Sequence, residues 1–118
     1  MTESTSARDA LRVTVERVDA EDAVVVLDGR FDAVEAPRVR AVFDDPAVHA
    51  APQLTVDLRA VTFIDSAGLA VLARARRDRA LRGDLITLVR PHLEEAMRVF
   101  RLTQFDEIFR MVEHRDEA

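Results

Sequence analysis

Residues 61–73 read V-T-F-I-D-S-A-G-L-A-V-L-A, and the rest of the chain is arranged around this stretch. An apolar segment gives way here to small and apolar residues at helical spacing. Ser66, the only serine after residue 6, stands at this transition. Because a serine oxygen at a helix start accepts a hydrogen bond from a free backbone N–H, Ser66 is predicted to be the N-cap.

The helix after this transition is predicted from Ser66 or Ala67 to Leu81, with Gly83 as its left-handed cap. Its inward positions are Leu69, Leu72, Ala73 and Ala80, and its outward positions are Arg74, Arg77, Asp78 and Arg82. Before the transition, alternating Leu54, Val56 and Leu58 predict a strand. The next apolar residues, Val61, Phe63 and Ile64, predict a buried loop beneath Asp65 and Ser66.

The N-terminal half begins with a polar segment, residues 1–9, which is predicted to be a disordered lead-in. Alternation from Leu11 to Val15 and the apolar run 23–27 predict two strands of a hairpin, the second ending at Asp28 and Gly29. The segment 33–48 is predicted to form one helix, with Pro37 in its first turn and fraying at 44–46.

The C-terminal part adds a strand at 85–89 and a helix that starts at Pro91. Apolar residues of this helix follow helical spacing: Leu93, Ala96, Met97 and Phe100. Residues 105–112 predict a helical turn running into an edge strand. The sequence therefore predicts an α/β fold with a mixed β-sheet of four to five strands packed against about four helices. The domain is placed at 10–113, with a tail at 114–118.

The amino-acid composition argues against several classes of function. A chain of 118 residues that is 48% hydrophobic forms one domain, and its net charge of −5 argues against binding nucleic acid or inserting into an anionic membrane. All 17 basic residues are arginine and cysteine is absent, which excludes Schiff-base and thiol chemistry. The isolated His49, His92 and His114 predict no metal site, and no cofactor is expected. Without a signal-like segment, the expected location is cytoplasmic.

Ser66 also has a functional interpretation, as a phosphate acceptor at a helix N-terminus, where free N–H groups and the dipole favour an anion. Gly68 is predicted to give a partner access to the hydroxyl. A hydrolase nucleophile is disfavoured, because I-D-S-A-G lacks the first glycine of G-x-S-x-G. Asp65 is a helix-start acid, and Asp32, after the second predicted strand, is a possible neighbour of Ser66.

Two further alternatives concern the charged residues. The basic stretch of the central helix comprises Arg74, Arg76, Arg77, Arg79 and Arg82. It is interpreted as a solvated or partner-facing surface, because no aromatic residues interleave it to stack on bases. A phosphoacceptor aspartate of receiver type at Asp28 is excluded, since the acidic pair and the lysine of such domains are missing.

Three segments carry a family resemblance, which extends over residues 11–113. They are G-R-F-D at 29–32, V-D-L-R-A-V-T-F-I-D-S-A-G-L at 56–69, and V-F-R-L-T-Q-F-D-E-I-F at 99–109. The chain resembles a STAS domain of the bacterial anti-sigma-factor antagonist (anti-anti-sigma factor) type. The resemblance implies a non-enzymatic phosphoprotein that acts in transcription regulation by partner switching.

In such families the unphosphorylated antagonist binds an anti-sigma factor that is also an ATPase-fold serine kinase, and this frees the sigma factor. Phosphorylation ends the binding and a PP2C-like phosphatase restores it. The resemblance implies that Ser66 is the phosphorylation site, and that Asp32, Asp65, Ala67 and Gly68 form the partner-binding surface near it. Ala67 stands where many antagonists have a second hydroxyl, which keeps an alternative open: a STAS subunit that binds the ATPase of a lipid-transport ABC complex.

Overall fold

The computed structural model describes residues 10–118, so the predicted lead-in at 1–9 lies outside the described residues. Strands β1 to β5 are Arg12–Val18, Asp22–Phe31, Gln53–Ile64, Leu85–Val89 and Arg110–Val112. Helices α1 to α5 are Ala36–Asp44, Pro46–Ala50, Ser66–Leu81, Glu94–Leu102 and Phe105–Ile108, followed by a 3₁₀ helix at Arg115–Glu117. The predicted mixed α/β fold is confirmed, with five strands and five α-helices in this range.

β1 and β2 form the predicted antiparallel hairpin. Asp19 shapes its turn, because its carboxylate accepts hydrogen bonds of 2.9 Å from the N–H groups of Glu21 and Asp22. The prediction that β2 ends at Asp28 and Gly29 is wrong, since the strand continues to Phe31. Gly29 permits this because its φ of 118° lies in a region that other residues rarely adopt.

The other strands follow in parallel, in the order β1-β2-β3-β4-β5. The prediction of a buried loop around Val61 and Phe63 is wrong, because β3 continues through both residues to Ile64. Irregularities in the β2–β3 register disturb the two-residue alternation, so Val61 and Ile64 are buried while Phe63 is exposed. Without that alternation, the sequence pattern does not distinguish a strand from a loop.

The single helix predicted over 33–48 is in fact two helices, α1 and α2. Asp45 separates them with a ψ of 133°, because a residue before proline is disfavoured in the helical region. Its carboxylate accepts a 3.2 Å hydrogen bond from the N–H of Ala47 and so caps α2, and Pro46 occupies a first-turn position where its missing N–H costs nothing.

α3 has the predicted span, and Gly83 follows it with a left-handed φ of 79°. Two of its side chains depart from the predicted pattern. Ala80 is exposed, so its predicted inward position is wrong. Arg79 is buried at 3% exposure and donates hydrogen bonds to the carbonyl oxygens of Leu85, at 2.8 Å, and Ala51. Arg79 is thus a buried structural residue and does not belong to an exposed basic surface. Burial lowers the pKa of its guanidinium.

The C-terminal elements follow the predicted order. α4 begins at Glu94, so the start predicted at Pro91 is three residues early. α5 is a short helical turn, and β5 follows it at the sheet edge as predicted. Residues 114–118, predicted as a tail, contain the 3₁₀ helix, from which Arg115 forms ion pairs with Glu16 and Asp57.

One hydrophobic core joins the sheet and the helices. Its fully buried members include Leu27, Val56, Leu72, Leu88 and Phe100. Leu69 and Leu72 anchor α3 in this core, and the start of the helix lies against the ends of the interior strands β2 and β3. Among residues 10–118, no helix is long and apolar enough to cross a membrane.

Candidate functional site

The predicted site residues lie where β2 and β3 end together. Phe31 and Ile64 are register partners in these parallel strands, and Asp32 and Asp65 follow them directly. The N–H of Ala33 donates a 3.1 Å hydrogen bond to Asp65 Oδ2, which ties the turn after β2 to the start of α3. We call residues 32–34 together with 65–68 the Ser66 corner.

Asp65 is the N-cap of α3, so the prediction that Ser66 caps this helix is wrong. Asp65 Oδ1 accepts hydrogen bonds from the N–H groups of Ala67, at 2.9 Å, and Gly68, at 3.1 Å. An aspartate caps as well as a serine and adds a negative charge at the positive end of the dipole. With Oδ2 bonded to Ala33, both oxygens of this carboxylate hold the corner together.

The side chain of Ser66 therefore does not cap the helix. It is the first residue of α3 and is exposed, and its hydroxyl makes no hydrogen bond to any residue between 10 and 118. The helix behind it has 16 residues, long enough to present a positive dipole end. The corner thus offers an accessible hydroxyl on the first residue of a helix, next to the carboxylate of Asp65.

Gly68 has a different role from the predicted one of giving a partner access. It is buried, and a Cβ at this position would lie 2.6 Å from the carbonyl oxygen of Phe31 and 2.9 Å from Ile64 Cγ1. Only glycine lets the first turn of α3 approach the strand ends this closely. Gly68 therefore sets the position of Ser66 from below.

Asp32 shapes the turn on the other side of the corner. Its Oδ1 accepts hydrogen bonds of 3.2 Å from the N–H groups of Val34 and Glu35, and its Oδ2 lies 3.5 Å from Arg30 Nε. Its carboxylate is only partly exposed. Asp32 is thus held in the corner with Asp65, and its role in partner binding stays a prediction.

Two apolar side chains near the corner are exposed, although the sequence pattern does not predict this and places Phe63 in a buried loop. Val34 is 82% exposed, and Phe63 is 37% exposed with the guanidinium of Arg30 at 4.0 Å from its ring centroid. The signal for Phe63 was its place beside Arg30 in the β2–β3 register, which only the extended strands reveal. Aromatic and arginine side chains of this kind are frequent in protein interfaces.

Asp57 is a buried carboxylate that no sequence pattern predicts. It lies on β3 with 2% exposure, and its oxygens accept hydrogen bonds from Arg59 Nε and Nη2, the shortest of 2.7 Å. Arg115 Nε adds an ion pair at 3.3 Å. Burial disfavours the charged form, but the hydrogen bonds and charges of the arginines outweigh it and hold the pKa of Asp57 below 3.8.

This arrangement, which we call the Asp57 cluster, fastens the C-terminal 3₁₀ helix to the sheet. It belongs to the structure of the domain and is separate from the Ser66 corner. Among residues 10–118, no three or more histidine, cysteine or acidic side chains are grouped so as to hold a metal ion. The corner presents the exposed hydroxyl of Ser66 beside the carboxylates of Asp32 and Asp65.

Comparison with known proteins places this arrangement in a family. The family model described as "Mlab, STAS domain" matches residues 14–113. No curated protein matches the sequence significantly. Among solved structures, an anti-sigma factor antagonist from Mycobacterium paratuberculosis is similar, with 27% identity and a TM-score of 0.75, over 92% of this chain and 91% of that chain.

Two further solved structures share the fold. The anti-sigma factor antagonist SpoIIAA in its unphosphorylated form has 20% identity and a TM-score of 0.75, over 91% of this chain and 92% of its own. A sulfate transporter family protein from Wolinella succinogenes has 21% identity and a TM-score of 0.70, over 87% of this chain and 85% of its own. Because the family model covers most of the sequence, this chain belongs to the STAS domain family.

Proposed function

We propose that this protein is an anti-sigma-factor antagonist whose binding is controlled by phosphorylation of Ser66. The observation that carries the proposal is the exposed hydroxyl of Ser66, which Asp65 leaves free by capping the helix itself. The similarity to the antagonist from Mycobacterium paratuberculosis, at 27% identity over most of both chains, supports it. The protein acts as a binding module in the cytoplasm, not as an enzyme.

In the unphosphorylated state, the Ser66 corner binds an ATPase-fold anti-sigma factor that is also a serine kinase. The exposed Val34 and Phe63 supply apolar contact area near the corner. Because the turn after β2 and the start of α3 are joined through Asp65, they present one surface of fixed shape. Occupying the anti-sigma factor in this way frees the sigma factor.

Phosphorylation ends this binding. Ser66 Oγ attacks the γ-phosphorus of ATP held by the kinase, ADP leaves, and the hydroxyl proton passes to a base of the kinase. The product carries about −1.5 to −2 charges at neutral pH. Those charges must be desolvated in any complex, and together with the carboxylates of Asp32 and Asp65 they repel acidic groups of a partner. A PP2C-like phosphatase hydrolyses the ester and restores binding.

The test uses the ATPase-fold serine kinases encoded in the same genome, each incubated with the protein and ATP. We expect intact-mass and peptide mass spectrometry to find one phosphate, on Ser66, and none on Ser66→Ala. Thr62, also exposed and on the same segment, is the matched control, so Thr62→Ala remains a full substrate. If every kinase leaves Ser66 unmodified, the switching proposal is wrong.

A second candidate function is a STAS subunit that binds the ATPase of a lipid-transport ABC complex. Ala67, in place of a second hydroxyl, favours it. Under this alternative, the protein co-purifies with an ABC ATPase and Ser66→Asp leaves that complex intact. Under the antagonist proposal, Ser66→Asp abolishes binding to the kinase, so one pair of measurements distinguishes the two.

A further inference from the structure

A shallow groove leads away from the Ser66 corner between α1 and α3, with a volume of about 770 Å³. Small and apolar residues form its inner surface: Ala33, Ala36, Ala67, Ala70 and Val71. The groove starts at the corner, because Ala33 is hydrogen-bonded to Asp65 and Ala67 follows Ser66. We call it the α1–α3 groove.

Positive charge gathers at the other end of the α1–α3 groove, where Arg40, Arg74 and Arg77 line it. Arg40 and Arg74 have carboxylates on the same helix at 4.0 and 3.7 Å, in exposed pairs that bind weakly. Arg77 makes no ion pair with any residue between 10 and 118. In a chain with a net charge of −5, this end of the groove is a local cationic surface.

We propose that the α1–α3 groove binds an acidic amphipathic helix of the anti-sigma factor, an inference that rests on the proposed function. The groove lies between two helices, and alanines along it allow a third helix to approach closely and pack between them. An apolar face of the incoming helix meets the alanines, and its carboxylates meet the three arginines. Charge complementarity thus selects an acidic helix.

The geometry also gives the length and direction of the bound helix. From Ala67 to Arg77 the groove follows α3 for about 15 Å, at about 1.5 Å per residue, which matches about three turns of a partner helix. Its acidic residues lie at the Arg74–Arg77 end. The opposite end of the helix lies beside Ser66, Asp32 and Asp65, where no further negative charge is tolerated.

This direction couples the groove to phosphorylation. A phosphate on Ser66 places about two negative charges at the mouth of the groove, beside the uncharged end of the bound helix. The cost of desolvating that phosphate then opposes binding of the same helix that the arginines attract. The arginines determine which partner binds, and Ser66 determines when it binds.

α3 provides matched controls on its other side. Arg76 and Ala80 are both exposed and line a different depression, which also contains Leu85 and Ile108. Arg76→Glu therefore changes the net charge as much as Arg77→Glu does, without changing the α1–α3 groove. Ala80→Phe likewise adds the same bulk to the same helix as Ala70→Phe.

The experiment measures the affinity of the full-length protein for each purified ATPase-fold anti-sigma factor of the same genome, by isothermal titration calorimetry with ADP. For the factor that binds, we expect Arg77→Glu and Arg74→Glu each to weaken binding about tenfold, and Ala70→Phe by at least as much. Arg76→Glu and Ala80→Phe leave it within about twofold. Added salt weakens the wild type more than Arg74→Glu/Arg77→Glu.

The outcomes separate this inference from the proposed function. If Ser66→Asp abolishes binding while the groove variants bind like the wild type, the groove inference is wrong and the switch stands. If no factor binds the wild-type protein, both are wrong. If the wild type is a dimer that Ala70→Phe dissociates, the groove holds a second copy of this chain and the inference is wrong. Thermal unfolding of every variant confirms that a loss of binding is not a loss of fold.

Discussion

Asp65 and Asp57 are two aspartates of the same β3–α3 region with opposite surroundings. Asp57 is buried and its partners are the charged arginines Arg59 and Arg115. Asp65 is partly exposed and its partners are three backbone N–H groups, those of Ala33, Ala67 and Gly68. Asp57 fastens the end of the chain to the sheet, whereas Asp65 shapes a surface and leaves the hydroxyl beside it free.

The difference shows how an acid next to a proposed phosphorylation site can be structural without forming a hydrogen bond to that site. If Ser66 capped α3 as its position suggests, its oxygen would be engaged by the helix and its phosphorylation would remove a cap. Because Asp65 caps instead, adding a phosphate to Ser66 does not remove the cap. Because the Asp57 cluster lies earlier on β3, we expect that it can be altered without changing the proposed phosphorylation site.

The largest expected effect comes from filling the space below the corner. Gly68→Val forces a side chain against the backbone of Phe31, and we expect the free energy of unfolding to fall by about 3 kcal/mol. Ala70→Val, on the exposed side of the same helix, is the control and changes stability by less than about 1 kcal/mol. Urea denaturation measures both. Equal stability of the two variants would show that the contact below the corner is not tight.

The Asp57 cluster gives the next largest effect. Asp57→Ala leaves Arg59 without its acceptor and Arg115 with Glu16 alone, but both arginines reach solvent, so we expect a loss of about 2 kcal/mol of unfolding free energy. Affinity for the anti-sigma factor stays within about twofold of the wild type, since the cluster is separate from the corner. A large loss of affinity in a folded Asp57→Ala protein would mean that the two regions are coupled.

At the corner, Asp65→Asn keeps the helix cap but removes the hydrogen bond that joins Asp65 to the turn after β2. The amide oxygen of asparagine still caps α3, but its nitrogen cannot accept a hydrogen bond from Ala33. Because water can replace that exposed bond, we expect stability to fall by only about 0.5 kcal/mol while the affinity falls about fivefold. An unchanged affinity would show that the tie does not shape the binding surface.

The smallest expected effect is a pH dependence that belongs to Asp57. Its pKa in the folded protein lies below the usual 3.8, so its charge-dependent stabilisation is complete above that value and is lost as the pH falls through the lower, folded-state pKa. The stability difference between wild type and Asp57→Asn is therefore constant from pH 7 to about 5 and shrinks below about 4. A difference that grows on acidification would contradict this.

Much of this architecture follows from the sequence. Alternation and helical spacing predict the hairpin, α3 and the order of the elements, because these rest on side chains that face one core. The hydrophobic pattern fails where local backbone geometry determines the structure. The β2–β3 register irregularities bring Phe63 to the surface, and Asp45 divides one predicted helix in two.

The candidate site, like the fold, is predicted only in part. The D-S-A-G residues are found directly, since the motif is contiguous. Which residue caps, and whether Gly68 gives access or close packing, depends on hydrogen bonds and contacts with Ala33 and Phe31, more than thirty residues earlier in the chain. The α1–α3 groove depends in the same way on how two helices pack, which composition alone does not reveal.

The most direct test of the central claim compares the protein before and after phosphorylation. Its affinity for the anti-sigma factor kinase is measured by isothermal titration calorimetry for two forms of the protein. One is unmodified, and the other is phosphorylated on Ser66 to completion, which mass spectrometry verifies. Our account predicts that the phosphate weakens binding at least about a hundredfold, or about 3 kcal/mol, without changing the stability of the fold. Equal affinities for the two forms would contradict it.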